Sequence, residues 1–167
     1  RAEDMLRDAD AAMYQAKMLG KRQYAIFDQS MHTKAMNTLK LETELRNAIN
    51  HNEIDVFYQP IVHLGNKKLD GFEALARWQH PNQGLIPPSD FIPLAEESGL
   101  IIDLDIAMCL KACIQISQWN IKYKTPISIS INLSSKHFSR SDLVSRIENV
   151  LQVSGIEPSL LKLEITE

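Results

Sequence analysis

Beyond residue 100 the hydrophobic pattern switches between helical and strand periods in turn. That alternation limits the folds open to the chain more than any other feature. A helical pattern covers about 101–119, with Ile106, Cys109, Leu110, Cys113 and Ile114 at core spacing. Pro126 to Leu133 reads as an Ile-rich strand, Ser139 to Val153 as an amphipathic helix opened by Ser139 or Ser141, and Leu160 to Thr166 as a further strand. Helix, strand, helix, strand predicts parallel βα units. Parallel strands covered by helices and carrying polar residues at their ends point to a barrel. With only three or four strands, the expected fold class is α/β, the first half of a TIM-like barrel.

A hairpin leads into these units. Ile54 to Val62 and Leu69 to Trp78 read as its arms, joined by the turn residues Leu64 to Lys68. Pro81, Gly84, Pro87 and Pro88 predict an irregular loop, and Ser89-Asp90 supply capping side chains for a helix over Phe91 to Glu97. Upstream, 2–19 reads as a helix with the apolar stripe Leu6, Ala9, Met13 and Ala16, stopped by Gly20 with Lys21 and Arg22 at its end. A short strand, Tyr24 to Phe27, follows. Ser30 to Asn50 reads as a helix, polar in its first half and apolar at Leu41, Leu45, Ala48 and Ile49. The leading helix and strand are too small to bury a core alone, so they read as the tail of a preceding domain.

Composition excludes several function classes. The 167 residues are 44% hydrophobic and 23% charged, a globular balance. A net charge of −3 gives no electrostatic case for binding a nucleic-acid polymer or a membrane surface. No apolar run approaches the roughly 20 residues that span a bilayer. Arg1 is followed by no leader pattern, and the start reads as cut from something longer, so any membrane attachment would lie upstream. Cys109 and Cys113 read as small core residues of a reduced, cytoplasmic protein, because no further thiolate or His stands at zinc spacing.

Four polar residues stand where strands should not want them: Glu73 and Arg77 in Gly71-Phe72-Glu73-Ala74-Leu75-Ala76-Arg77-Trp78, Asn132, and Glu164. Strand alternation puts Glu73, Leu75 and Arg77 on one face and Phe72, Ala74, Ala76 and Trp78 on the other. Glu73 and Arg77 could simply pair, Asn132 could be a turn residue, and Glu164 could pair locally. Together, two carboxylates and an amide oxygen form an all-oxygen set suited to Mg²⁺, Mn²⁺ or Ca²⁺ rather than zinc.

Five blocks in order, Tyr58 to Val62, Gly71 to Trp78, Phe91 to Ile101, Ile131 to Ser134 and Leu163 to Glu167, resemble EAL domains, bacterial cyclic-di-GMP phosphodiesterases. Leu6 to Lys17 with Gly20-Lys21-Arg22 resembles the end of a GGDEF (diguanylate cyclase) domain. The resemblance implies a division into 1–28, the end of a GGDEF domain; 29–40, a linker helix; and 41–167, the N-terminal part of an EAL domain. It implies Glu73, Asn132 and Glu164 as ligands of Mg²⁺ or Mn²⁺. Gln59, Leu75 and Arg77 match positions that hold the dinucleotide, with Arg77 near a phosphate. Glu167 matches a second Glu that supports the loop closing over the site. Glu73, Glu164 and Glu167 are accordingly the catalytic candidates. The family's later Asp pair, Lys and further Glu fall beyond position 167, so the expected activity, hydrolysis of cyclic-di-GMP to linear pGpG, belongs to a longer parent and the 167-residue chain is expected to be inactive. A non-catalytic cyclic-di-GMP receptor is the alternative. EAL domains commonly form homodimers, so the resemblance also implies one here.

Overall fold

The computed structural model describes residues 2–18 and 24–166. It divides into two compact units, 1–44 and 45–167.

In the first unit, α1 (Ala2–Met18) precedes α2 (Gln29–Asn50). Of the apolar stripe on α1, Leu6 and Met13 are exposed, whereas the neighbouring Ala11 and Ala12 are buried. The expected strand at Tyr24 to Phe27 is also absent. Residues 24–28 are irregular, and Tyr24 and Ile26 lie open to solvent, with no strand among the described residues of that unit to pair with. The helix stop at Gly20, Lys21 and Arg22 lies outside the described residues.

The second unit begins on the last turns of α2, where Leu45 and Ala48 are fully buried. There follow β1 (Ile54–Val62), β2 (Leu69–His80), β3 (Gly84–Ile86), α3 (Pro88–Ser98), α4 (Ile101–Tyr123), β4 (Ser128–Ser134), α5 (Leu143–Ser154) and β5 (Leu161–Thr166). One sheet has the order β1-β2-β4-β5, with β3 against β2. β1 and β2 form the expected antiparallel hairpin, whereas β2–β4 and β4–β5 are parallel.

One face of this sheet carries the core. Ala74, Ile129 and Ile131 pack against Cys109, Ala112, Cys113 and Ile116 of α4 and Val150 of α5. Tyr58, Phe72 and Trp119 close one end of that layer, with ring centroids 5.0–6.1 Å apart. The α4–β4 connection is braced by one side chain. Asn120 accepts from the Ile127 N–H at 2.8 Å and donates to the Ile127 carbonyl at 3.2 Å, imitating a strand partner.

Three local features depart from the sequence reading. The Pro- and Gly-rich loop contains β3, paired to Trp78–His80, because Gly84 takes a left-handed conformation (φ 71°) that turns the chain back. α3 starts at Pro88, whose fixed φ suits a first helical position, so neither Ser89 nor Asp90 caps it. α5 begins at Leu143, since Ser135–Ser139 forms a separate 3₁₀ turn first and Asp142 stands at the cap position.

β2 and β4 stay paired over only Gly71–Ser128 to Ala74–Ile131. Past that point β2 continues against β1 and β3 to His80, while β4 continues against β5 to Ser134. The sheet therefore forks. Where the two strands are joined, they are close enough that a Cβ on Gly71 would meet the Ser128 carbonyl oxygen at 2.6 Å. Gly71→Ala is expected to destabilise the protein by about 1–3 kcal/mol, the usual cost of overpacking, read as a lowered urea midpoint. An unchanged midpoint would show that β2 and β4 can separate freely here.

Candidate active site

The second face of the sheet gathers the polar strand residues. Gln59 and Glu73 are direct partners across β1–β2, Glu73 lies opposite Ser130 of β4, and Asn132 lies opposite Glu164 of β5. In-register neighbours share a face, as do residues two apart on one strand, so Gln59, Glu73, Asn132 and Glu164 lie on one face across four strands, with Asn132 two residues beyond Ser130. Glu73 and Asn132, 59 positions apart, touch: the Asn132 amide nitrogen donates to Glu73 Oε1 at 2.8 Å. Both are half-buried, and Glu164 is exposed at the sheet edge.

That hydrogen bond decides whether the set can hold a divalent cation. It uses the nitrogen of Asn132 and one oxygen of Glu73, leaving Asn132 Oδ1 and Glu73 Oε2 as further oxygen donors. With Glu164 on the neighbouring strand, the donors are all hard oxygens, and the residues fit Mg²⁺ or Mn²⁺. Among the described residues, no group of three or more His, Cys, Asp or Glu converges in this way. The set depends on the amide.

Arg77 does not pair with Glu73. Its Nη1 donates to the Ala76 carbonyl at 2.7 Å, and its guanidinium lies over the Phe57 ring, 5.3 Å from the centroid. Leu75 and Arg77 come just after the fork in the sheet, as do Asn132 and Ser134 on the other branch. Between the branches is a cavity of about 230 Å³, lined by Leu75, Arg77, Asn132 and Ser134 and roofed by Ile92, Glu96, Leu104 and Asp105 of α3 and α4. Glu167 lies outside the described residues.

Asp105 is the site residue that sequence reasoning missed. Its signal was present, since an acid falls among the core positions Leu104, Met108 and Cys109 of a helix, but spacing alone does not separate it from a solvated residue. Asp105 is 8% exposed. Its Oδ2 accepts the Ser134 N–H at 2.9 Å and lies 3.2 Å from His137 Nε2. Burial raises its carboxyl to about 7; the Ser134 N–H pulls the other way, and the Glu96 charge adds to the rise. His137 is fully buried and held below the usual imidazole value by burial and by the charges of Arg146 and Arg140.

Comparison with known proteins places this arrangement. Residues 42–167 match the EAL domain family. Over 164 residues the chain is 40% identical to the bifunctional diguanylate cyclase/cyclic di-GMP phosphodiesterase MucR of Pseudomonas aeruginosa, covering 98% of this chain and 24% of that protein. It is 35% identical over 163 residues to the cyclic di-GMP phosphodiesterase PdeR of Escherichia coli, covering 98% of this chain and 24% of PdeR. The chain thus spans about a quarter of these curated relatives' length. Among solved structures, the PaMucR phosphodiesterase in complex with c-di-GMP superposes with a TM-score of 0.71 at 39% identity, over 77% of this chain and 52% of that one. The EAL enzyme Bd1971 with cAMP and cyclic-di-GMP bound gives 0.72 at 29% identity, over 99% of this chain and 44% of that one.

Asp105 has a measurable effect on stability. Its folded-state value lies above the ordinary carboxylate value of 3.8, so the folded state favours the protonated acid. This contribution is fully present below the ordinary value, is lost as pH rises through about 7, and is constant above. Unfolding free energy is expected to fall by up to about 1.4 kcal/mol per pH unit across that window. Asp105→Asn, which keeps an oxygen for the Ser134 N–H, should flatten the profile in chemical denaturation. An equal slope in the variant would assign the effect elsewhere.

Proposed function

This chain belongs to the EAL domain family, and we infer that it forms the substrate-binding half of a metal-dependent cyclic-di-GMP phosphodiesterase. The observation that carries this reading is the 2.8 Å contact between Glu73 and Asn132, on one sheet face with Gln59 and Glu164. These residues come from four strands and share one face, and Glu73 and Asn132 touch there, which no local salt-bridge or turn role requires.

In this reading Glu73, Asn132 and Glu164 hold the Mg²⁺ or Mn²⁺, which supplies charge neutralisation at the phosphodiester and a water of lowered pKa. The Glu73–Asn132 hydrogen bond orients both ligands before the ion arrives. Arg77 has five N–H donors in a planar fork. One is engaged with the Ala76 carbonyl, and the others suit a phosphate of the dinucleotide. Gln59, beside Glu73 in register, contacts the same substrate, and Glu167 supports the loop over the site.

The cavity receives a base. At about 230 Å³ it is smaller than the roughly 300–1,000 Å³ that encloses a whole drug-sized ligand, and its apolar walls suit a flat ring. Asp105 uses only Oδ2 for protein hydrogen bonds, so Oδ1 is available to a ligand in the cavity it lines. A guanine edge presents its N1–H to that oxygen, whereas an adenine edge presents a bare N1 lone pair, which the carboxylate repels.

The remaining organisation is part of the same proposal. Residues 1–28 end a GGDEF domain, 29–40 link, and 41–167 begin the EAL barrel in a cytoplasmic protein that pairs as a homodimer. Supporting this, the match to the bifunctional MucR runs through 98% of the chain, well ahead of residue 42. Among the described residues β5 pairs with β4 alone, and in this proposal further strands of the parent protein complete the barrel. The 167-residue chain by itself should therefore give no pGpG.

Hydrolysis of cyclic-di-GMP by the full-length protein carrying this chain, with Mg²⁺ or Mn²⁺, is the test. Loss of a partner behind a metal ligand costs about 10- to 100-fold, so Glu73→Gln is expected to cost at least that in turnover. A folded full-length protein that binds cyclic-di-GMP without cleaving it would replace the phosphodiesterase by a receptor. Turnover unaffected by Glu73→Gln would remove Glu73 from the site.

A further inference from the structure

We propose that His137 is a positioning residue for base recognition: its Nε2–H holds Asp105 by Oδ2, so that Oδ1 faces the cavity between β2 and β4. The inference rests on the reading of that cavity as a base-binding pocket and extends it to a residue that lines no part of it.

The geometry fixes the proton on His137. Asp105 Oδ2 already accepts the Ser134 N–H, and once the carboxyl is ionised it faces His137 as an acceptor only. A neutral imidazole with its proton on Nδ1 would set a bare Nε2 lone pair against that oxygen at 3.2 Å. It would also leave a buried N–H on Nδ1, which has no hydrogen-bond partner among the described residues. The Nε2–H tautomer avoids both: the donor meets the carboxylate, and the orphan atom is a lone pair, which costs less than an orphan N–H. An imidazolium would bury a charged N–H with no acceptor.

The charges around the pair favour the same state. Arg146 and Arg140 disfavour a positive His137; Asp142 and Asp103 favour it. However, the four are already tied to one another. Arg140 pairs with Asp142 at 2.7 Å, and Arg146 reaches Asp142 at 2.9 Å and Asp103 at 3.1 Å. On the cavity side, Glu96 faces Asp105, and Lys136 bonds the Glu96 carbonyl from the 3₁₀ turn that carries His137. His137 therefore stays neutral while Asp105 ionises near neutrality. Two consequences follow for a ligand that donates an N–H to Oδ1. Its affinity rises with pH as Asp105 ionises, and removing the His137 donor moves that midpoint upward, because the carboxylate loses a stabilising hydrogen bond.

The experiment uses the full-length protein carrying this chain, with cyclic-di-GMP, cyclic-di-AMP and Mn²⁺ alone as probes in titration calorimetry. His137→Gln retains an N–H donor that cannot titrate, and it should keep wild-type affinity and guanine selectivity. His137→Leu should lower cyclic-di-GMP affinity about tenfold, the size of one lost hydrogen bond to a charged group. Its affinities for Mn²⁺ and cyclic-di-AMP should be unchanged. Equal weakening of all three probes would make His137 a structural residue and overturn the proposal, as would an unchanged cyclic-di-GMP affinity. Should His137→Leu fail to fold, ¹⁵N shifts of His137 in the wild-type protein decide instead. The Nε2–H tautomer, unprotonated over about pH 5 to 8, is expected; the Nδ1–H tautomer or protonation in that range overturns the inference. If wild-type protein binds no cyclic-di-GMP, the functional reading falls with it; if wild type binds and only the His137 results fail, this inference falls alone.

Discussion

β2 and β4 share hydrogen bonds only from Gly71–Ser128 to Ala74–Ile131, and the site geometry depends on that short pairing. While the strands are joined, Glu73 and Asn132 are brought within one hydrogen bond of each other. Once they part, Leu75 and Arg77 on one branch face Asn132 and Ser134 on the other across open space. A sheet paired to the end of both strands would have no room between its branches, and a sheet that parted earlier would separate Glu73 from Asn132. Two demands meet within a few residues: tight approach at Gly71, where a side chain is excluded, and divergence directly afterwards.

Divergence leaves the end of β4 without a partner on the β2 side, and backbone groups there need other acceptors. Asp105 supplies one for Ser134 from α4. A buried carboxylate is a costly choice for that task, since an amide or hydroxyl could accept the same N–H without the penalty of ionisation. The Arg140, Asp142, Arg146 and Asp103 network holds α5 and the segment before it against α4 around the buried pair. Such exposed pairs add little singly, but here several share partners and fix one wall of a site.

Much of this was legible in the chain because strand period and residue chemistry disagree at Glu73, Arg77, Asn132 and Glu164. An apolar strand with a carboxylate at its centre needs an explanation, and alternation alone put Glu73, Leu75 and Arg77 on one face. The hairpin bounds and the parallel order were likewise readable from turn residues and period changes. What was hidden depended on contacts between distant segments. Asp105 looks like any acid in a helix until Ser134 is placed beside it, and His137 falls between the strand read to Leu133 and the helix read from Ser139, where no period constrains it. β3 was masked by the Pro and Gly residues around it, and Pro88 took the helix start from Ser89 and Asp90. On α1, periodicity marked a stripe correctly as apolar but could not say what would cover it.

Cys109 and Cys113 lie one turn apart on α4, both fully buried against the inner face of the sheet and both free. A sulfur must be reached before it can react, and neither can be reached while the helix lies on β2 and β4. The two sulfurs therefore act as a built-in clock for the layer that holds the site together. The rate at which an added thiol reagent consumes them measures how often α4 lifts from the strands, with no label or substitution introduced.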